Sequence, residues 1–315
     1  MHSWRHLLHL AACLPLALAF QCAGALESGT ELRDLFEREV DRRIELPESE
    51  QNEYAQRLAD SLAAHGLADL LSQYFVLVDR DPHVQAVMIY WKSAAGEYRF
   101  IGAAPASTGR PGEYEHFETP TGVFEHSVAS FDFRAEGTVN EFGIRGYGVT
   151  GMRVYDFGWV TAERGWGRPG QSAMRLQMHA TDPDLLEPQL GLMHSKGCIR
   201  IPATVNVFID RYAILDADYE RARAEGKRVW VLRADRIQTP WSGRYLVIVT
   251  SERTQRPDWS PLPRGRAAAA PTAHSLADPR ARLLIDLDQE RTAQPCYVDP
   301  RYLRGGSMQS RDRAE

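Results

Sequence analysis

The spacing of hydrophobic residues changes character near residue 73. Before it, over residues 26–73, leucines recur at near-helical intervals in a segment rich in Glu, Arg and Ala. This spacing predicts a helical N-terminal extension, and Pro47 and Gly66 are expected to divide it into two or three helices. Packing against the rest of the chain is the expected role of the extension, with a partner-facing role as the alternative.

After residue 73 the pattern becomes that of short strands. Runs of β-branched and aromatic residues bounded by turn residues predict strands, and one amphipathic run predicts a helix. The predicted strands span 74–78, 84–91, 99–104, 174–178, 228–232 and 245–249, and the predicted helix spans 204–215. The predicted fold class is therefore mainly β, of the α+β type, with a core unit over residues 74–251.

A segment rich in glycine and aromatic residues covers positions 143–172. It stands directly before the predicted strand 174–178, which favours either a mobile lid over a cleft or an ordinary hairpin with core aromatics. Tyr155 and Trp166 are its candidate substrate-binding side chains. Residues 252–315 follow the core unit and open with a proline-rich stretch, which predicts a linker and an irregular C-terminal tail.

The first 25 residues have the features of an export signal. Arg5 precedes an almost wholly apolar stretch over residues 7–20, and the small residues at 23–25 suit a signal peptidase. The expected location is therefore the periplasm. A buried helix is one alternative, and a lipoprotein signal ending at Cys13 is another, which the short apolar run before Cys13 makes less favoured.

The charge balance argues against nucleic acid as a partner. The chain carries a formal net charge of −5, which becomes −6 when residues 1–25 and their single charged residue, Arg5, are removed. An acidic chain lacks the basic footprint of a nucleic-acid-binding protein. No nucleotide-binding glycine motif stands between a predicted strand and a helix. We expect no nucleotide cofactor and, after export, no transmembrane segment.

The strongest chemical signal is a cysteine that directly follows a glycine. Cys198 and Gly197 lie in the sequence Ser-Lys-Gly-Cys-Ile-Arg over residues 195–200, and Cys198 follows His179 by 19 positions. A thiolate is the nucleophilic form of cysteine, and a histidine brought close by the fold can accept the thiol proton. These residues predict acyl transfer through a thioester, with Cys198 as nucleophile and His179 as base.

This motif resembles the signature of the L,D-transpeptidase (YkuD-type) catalytic domain. Ser107-Thr108-Gly109 and the Thr-Pro-x-Gly-x-Phe segment at 119–124 stand upstream in the order found in that family, so the resemblance covers roughly residues 74–235. It implies a β-sandwich or barrel with one principal helix after the nucleophile. It also implies that the main-chain carbonyl of Ala180 orients His179, and that carbapenems acylate the cysteine.

The other residues of the motif have expected roles of their own. Ser195 is expected to shape the turn, and the backbone N–H groups of Lys196, Gly197 and Cys198 are candidate oxyanion donors. Arg200 would bind a substrate carboxylate, with an internal ion pair as the alternative.

Two basic side chains bear on substrate choice: Lys196 within the motif and His194 directly before it. Lys196 stands where many family members have histidine, and it would lower the pKa of the thiol, hold a carboxylate, or simply be solvated. His194 is a competing base and a candidate substrate-binding residue.

The resemblance implies an exported enzyme that cross-links peptidoglycan stem peptides and needs no cofactor. The third stem residue is the expected donor, giving a 3-3 cross-link, and the first residue is the alternative donor. A carboxypeptidase or endopeptidase that passes the same thioester to water is the nearest alternative. A noncatalytic module that binds the cell wall is a further one.

Two alternatives would occupy the cysteine sulfur. His179, His194 and Cys198 could share a zinc ion, but this would consume the nucleophile, so no metal is expected. Cys198 and Cys296 are the only cysteines that remain after residues 1–25. In an oxidising compartment they could form a disulfide, which is less favoured than a free catalytic thiol.

Overall fold

The computed structural model of the protein describes residues 30–260 and 262–263. The predicted export signal, most of the predicted tail, and the cysteines Cys13 and Cys296 therefore lie outside the described residues. Within the described ranges the fold is a mixed α+β structure of two β-sheets and four α-helices, with no closed barrel. The predicted α+β class is confirmed at this level.

Two helices form the N-terminal extension. Helix α1 spans Thr30–Glu39, and helix α2 spans Glu48–Ala64, directly after Pro47 and just before Gly66. Proline is well suited to a helix start because it has no N–H to leave unpaired, and glycine suits the turn beyond a helix end. Apolar side chains of both helices are buried in the hydrophobic cores of the protein. The extension is thus an integral layer of the fold.

Five strands form the first sheet, in the order β3-β2-β1-β9-β4. Their bounds are β1 Gln73–Asp79, β2 Ala86–Lys92, β3 Tyr98–Pro105, β4 Gly122–Glu125 and β9 Tyr245–Val249. Alternate residues of β1 enter different cores, because Val76 packs with the second sheet and Phe75 packs beneath α2. Burial on both faces explains why the sequence of β1 is a continuous apolar run rather than an alternating one.

Four strands form the second sheet, in the order β5-β6-β7-β8. Their bounds are β5 Phe133–Arg134, β6 Arg153–Glu163, β7 Gln171–Ala180 and β8 Ile199–Ile201. Strands β6 and β7 are antiparallel, whereas β7 and β8 run parallel. Apolar residues of β7 and β8 share one core with α1, β1 and β2, so the two sheets pack against each other.

The segment at 143–172 is mostly a hairpin rather than a lid. Strand β6 occupies its middle, and pairing with β7 over Tyr155–Met178 and Glu163–Gln171 holds it in the sheet. The lid interpretation is therefore wrong for the residues of β6.

The region after the nucleophile departs from the expectation of one principal helix. Helix α3 covers Ala203–Arg211, one residue earlier at its start and four residues shorter at its end than the predicted 204–215, and a second helix, α4, covers Ala217–Ala224. Residues 228–232, predicted as a strand, form an irregular turn instead. There only Val231 is fully buried while Trp230 is exposed, so no strand face is available to pair.

The described part of the predicted linker packs onto the domain. Arg253 forms an ion pair with Glu50 of α2, and Trp259 meets the ring of Tyr54 edge-on at 6.1 Å. Arg256 donates a hydrogen bond of 2.7 Å to the carbonyl of Pro82. Folded structure thus continues past residue 251 to residue 260. No helix within the described ranges is long and apolar enough to cross a membrane.

Candidate functional site

His179 lies at the penultimate position of β7, with 5% of its surface exposed. Its Nδ1 is 2.6 Å from the main-chain carbonyl oxygen of Ala180. A carbonyl can only accept, so Nδ1 carries the proton and Nε2 presents a lone pair. The imidazole is therefore held in the tautomer in which Nε2 can act as a base, and Ala180 holds it in the way the resemblance implies.

The surroundings of His179 keep its imidazole neutral. Burial lowers the pKa of His179 to about 3; the hydrogen bond to Ala180 opposes this shift, and the charge of Arg200 adds to it. An imidazole with this pKa is unprotonated throughout the neutral range. It can accept a proton as soon as a negative charge forms beside it.

Strand pairing brings the two halves of the motif together. In the parallel pair of β7 and β8, His179 is the register partner of Arg200, and Met178 is the partner of Ile199. Cys198 directly precedes β8 and is 4% exposed. Cys198 is therefore two residues before Arg200, the register partner of His179. Residues far apart in sequence are thus brought together by the pairing.

The sulfur of Cys198 forms a disulfide bond in this structure. The Sγ atom is also 3.9 Å from the main-chain oxygen of Arg175 on β7. The sulfur is therefore bonded here, which is the alternative that the sequence made less favoured. Cys296, the partner considered in that alternative, lies outside the described residues. Nucleophilic chemistry at Cys198 requires that this disulfide first be reduced.

Ser195 and Gly197 close the turn before the cysteine. The Ser195 hydroxyl donates to the carbonyl of Cys198 and accepts the N–H of Gly197 at 3.1 Å. This is the turn-shaping role expected of Ser195. It also removes the Gly197 N–H from the candidate oxyanion donors and leaves those of Lys196 and Cys198.

Only glycine fits position 197. Its φ of +128° lies in a region that side-chain-bearing residues rarely adopt. A Cβ there would also lie 3.0 Å from Sδ of Met174 and 3.1 Å from Cβ of Phe117. The Gly-Cys step is therefore required by the backbone geometry as well as by access to the cysteine.

One threonine joins the three segments on which the resemblance depends. Thr119, fully buried, accepts the N–H of Gly109 at 2.8 Å and donates to the carbonyl of Gly197 at 2.8 Å. The backbones come so close that a Cβ on Gly109 would lie 2.9 Å from Cα of Gly197. The upstream Ser-x-Gly and Thr-Pro segments thus support the cysteine turn from behind.

Lys196 is not simply solvated. Its Nζ lies 3.7 Å from Oε2 of Glu115, and only 11% of its side chain is exposed. Glu115 has a φ of +61°, an unusual backbone conformation for a residue with a side chain. The ammonium charge next to the motif is therefore shared with a carboxylate, and a substrate carboxylate would have to compete for it.

Arg200 and His194 contact each other. The Arg200 guanidinium, 6% exposed, donates to the main-chain carbonyl of His194, and its Nη1 is 3.3 Å from Nδ1 of the same residue. His194 therefore contacts the arginine of the motif, whereas His179 is held by the carbonyl of Ala180 with Nε2 available as a base. His194 precedes the cysteine turn and Arg200 follows it, so their contact joins the two ends of the turn.

Tyr147 was not singled out from the sequence, although it contacts the base directly. Its ring meets the His179 ring edge-on, with centroids 4.7 Å apart. Its hydroxyl donates to Gln177 Oε1 at 3.0 Å, and Gln177 Nε2 donates to Asp156 at 2.9 Å. Asp156 also accepts from Nε of Arg175 at 2.8 Å. Membership in the aromatic segment was its only sequence signal.

The two aromatic candidates are placed differently. Trp166 packs edge-on against Phe117 at 4.8 Å, and Phe117 borders Gly197, so Trp166 is near the cysteine turn. Tyr155 is fully buried with its ring under the guanidinium of Arg153, at 4.9 Å. Tyr155 is therefore a core residue, and the structure does not bring it to the site.

Comparisons with protein-family models and with curated proteins find no match to this chain. Within the described residues, no group of three or more His, Cys, Asp or Glu side chains is arranged to hold a metal ion. The case for a function therefore rests on the residues of the site and their geometry.

The neutral state of His179 has a consequence for stability that can be measured. Unfolded histidine binds a proton below pH 6.5, whereas folded His179 does so only near pH 3. Between these two pKa values the unfolded state binds more protons than the folded state. The free energy of unfolding therefore decreases as the pH is lowered from 6.5 toward 3. Between pH 6.5 and 5 we expect the wild type to lose about 2 kcal/mol relative to His179→Gln. Urea unfolding of both proteins in the same redox state measures this; parallel pH profiles would contradict it.

Proposed function

We propose that the protein is an exported cysteine L,D-transpeptidase that cross-links peptidoglycan stem peptides through a thioester on Cys198. The observation that carries the proposal is the pairing of β7 with β8. It puts His179, whose Nε2 carries a lone pair, in register with Arg200, two residues after a glycine-preceded cysteine. The glycine turn and its Thr119 support favour the same assignment.

The reaction follows from the roles of the two side chains. Once Cys198 is reduced, Nε2 of His179 accepts the thiol proton and Sγ attacks the donor carbonyl carbon. Backbone N–H groups of Lys196 and Cys198 are the candidates to stabilise the oxyanion. The C–N bond breaks as the departing amine takes the proton from His179, leaving a thioester. The acceptor amine then attacks the thioester carbonyl, gives its proton to His179, and releases the thiolate as the new amide forms.

The neutral resting state of His179 suits this sequence of steps. An imidazole with a pKa of about 3 does not hold a proton before the substrate arrives. The proton is held only while the thiolate or the oxyanion is present to stabilise the imidazolium. His179 can therefore serve as base for the thiol and as acid for the leaving amine in turn.

The experiment combines a redox arm with a nucleophile arm. Disaccharide tetrapeptides are incubated with protein that has been treated with a thiol reductant and, separately, with untreated protein. The masses of the products and of the protein are then determined by mass spectrometry. We expect a thioester adduct and cross-linked dimers, increased by reduction, because the disulfide at Cys198 blocks the nucleophile. Cys296→Ser removes the only other cysteine of the mature chain and supplies a thiol form that needs no reductant.

Cys198→Ala is the decisive control. It should abolish the adduct, the dimers and acylation by a carbapenem. Dimers linked at the third or the first stem residue would identify the donor. Release of a D-amino acid without dimers would replace the transpeptidase with a hydrolase. Product formation that survives Cys198→Ala would refute the mechanism.

A further inference from the structure

A cavity of about 400 Å³ lies between the loop that follows β5 and the turn that carries Trp230. We call it the 230 cavity; its lining residues belong to the segments 133–140 and 144–148 and to position 230. Tyr147 is part of its wall, and the ring of Tyr147 also contacts the ring of His179. One side chain therefore separates this cavity from the base of the proposed reaction.

The cavity offers little to an anionic ligand. Arg134 and Glu136 are its only charged lining residues. The Arg134 guanidinium has already committed four of its five N–H donors. They go to the two carboxylate oxygens of Asp210 and to the main-chain carbonyls of Gly151 and Val231. A carboxylate or phosphate would meet a neutralised cation and an acidic residue, so the chemistry favours an uncharged ligand.

The rim of the cavity is aromatic and exposed. Trp230 has 58% of its surface exposed, and its ring lies nearly parallel to that of Phe131, with centroids 6.4 Å apart. The next residue, Val231, is fully buried, and its carbonyl accepts a hydrogen bond from Arg134. The buried and hydrogen-bonded Val231 thus fixes the backbone next to the exposed indole of Trp230. An exposed aromatic platform beside a polar cavity is typical of a binding site rather than of a core.

We propose that the 230 cavity binds an N-acetylhexosamine unit of the glycan strand that carries the stem peptide. A hexosamine has an apolar C–H face that can lie on the indole of Trp230. Its hydroxyl and acetamido groups are uncharged hydrogen-bonding groups that suit the polar backbone and the side chains of Thr138 and Asn140. The proposal rests on the proposed function, since it assigns the sugar part of the same substrate.

The position of the cavity agrees with this assignment. Its lining residue Tyr147 contacts His179, the proposed carrier of the protons of the leaving and incoming amines, whereas Phe117 and Trp166 do not line it. The free carboxylate of a stem peptide would have no available cation in the 230 cavity. The sugar is the uncharged part of the substrate, and it therefore matches what this cavity offers.

The test measures binding without turnover. Cys198→Ala protein is titrated with N-acetylglucosamine trimer, a neutral glycan without a stem peptide, by calorimetry and by saturation-transfer NMR. We expect measurable binding that weakens about tenfold in Cys198→Ala/Trp230→Ala, the loss of roughly 1.4 kcal/mol of stacking. Trp159→Ala in the same background is the matched control, because Trp159 is 43% exposed and does not line the cavity. Its affinity should equal that of the parent.

Three results would overturn the proposal. The first is no binding of the trimer by the parent protein, and the second is equal affinity with and without Trp230. The third is binding of an occupant other than a sugar. A Trp230-dependent affinity for a sugar-free tetrapeptide would indicate a peptide site, and a Trp230-dependent self-association would indicate a second copy of the chain. The assay does not require a thioester, so Trp230-dependent trimer binding by a protein that forms no thioester would retain the glycan site and reject the transpeptidase.

Discussion

Replacement of Arg153 by methionine should lower the free energy of unfolding by about 3–5 kcal/mol, as expected when one partner of a buried ion network is removed. Arg153 is fully buried at the first position of β6. Its guanidinium lies within 2.7 Å of Asp132, 3.1 Å of Asp210 and 2.6 Å of Asp216. Methionine keeps much of the volume but removes the cation that the three carboxylates share. Asp132 keeps its contact with His126 and Asp210 keeps its ion pair with Arg134, whereas Asp216 loses its ion pair.

The rest of the network shows why the loss cannot be absorbed. The rings of Tyr155 and Tyr219 lie 4.9 and 5.1 Å from the Arg153 guanidinium, which excludes water from the carboxylates. His126 is also buried, with Nε2 2.8 Å from Asp132 and Nδ1 2.8 Å from the carbonyl of Leu215. Burial lowers the pKa of His126, but the charge and the hydrogen bond of Asp132, together with the charge of Asp216, outweigh it, so the net direction is upward. His126 already contacts Asp132 and Arg134 already pairs with Asp210, so neither replaces Arg153 at Asp216.

The measurement is urea unfolding of the purified domain at pH 7. Arg33→Met is the control, because Arg33 forms an exposed pair with Glu37 on α1 and should cost less than 1 kcal/mol. If Arg153→Met does not fold at pH 7, unfolding at pH 5 is the second measurement. Buried carboxylates without a counter-ion have raised pKa values, so they gain protons on folding and the deficit should shrink as pH falls. A cost as small as that of Arg33→Met would contradict the role of the network.

The candidate nucleophile and base could be singled out from the sequence because their signal is local. Gly197 must be glycine for backbone reasons, Cys198 must follow it, and a strand must end at His179; all three requirements are visible in a short stretch of residues. The strands β1, β2, β3, β7 and β9 were also predicted, because their apolar runs are continuous and bounded by turn residues.

The supports of the site could not be predicted in the same way. Arg153 stands in a strand-forming run, where an isolated arginine is typical of a solvent-facing position. Its partners, Asp132, Asp210 and Asp216, lie 21 to 63 positions away and share no spacing that a strand or helix would impose. The double hydrogen bond of Thr119 is likewise a tertiary contact. Such networks follow from the packing of distant segments and leave no periodic signal.

The wrong prediction at 228–232 has a related cause. Two valines, a tryptophan and a leucine within five residues suggested a strand, but the carbonyl of Val231 bonds to Arg134, and Trp230 is turned outward at the rim of a cavity. Helix α4 was missed because its buried residues include Asp218 and Tyr219, which face the polar network rather than an apolar core. In both places polar tertiary contacts overrode local propensity.

Replacement of His179 by glutamine should lower the single-turnover rate of thioester formation by about 10²–10⁴-fold, the usual contribution of a positioned general base. Glutamine can keep a hydrogen bond to the Ala180 carbonyl, but its side chain cannot take the thiol proton. The rate is measured by quenched-flow mass spectrometry on reduced protein with saturating substrate. His65→Gln, at the exposed end of α2, is the matched histidine control and should leave this rate unchanged.

His194→Gln distinguishes the two candidate bases. The ring of His194 lies beside the Arg200 guanidinium, and only His179 is held by a main-chain carbonyl in the tautomer of a base, so loss of His194 should lower the single-turnover rate by no more than about tenfold. The pH profile adds an independent readout, because a base with a resting pKa of about 3 leaves no titration near pH 6.5 in the acylation rate. A profile that falls below pH 6.5, together with a larger loss in His194→Gln than in His179→Gln, would move the base to the loop before the cysteine. The pairing of β7 with β8 would then serve only to position Arg200.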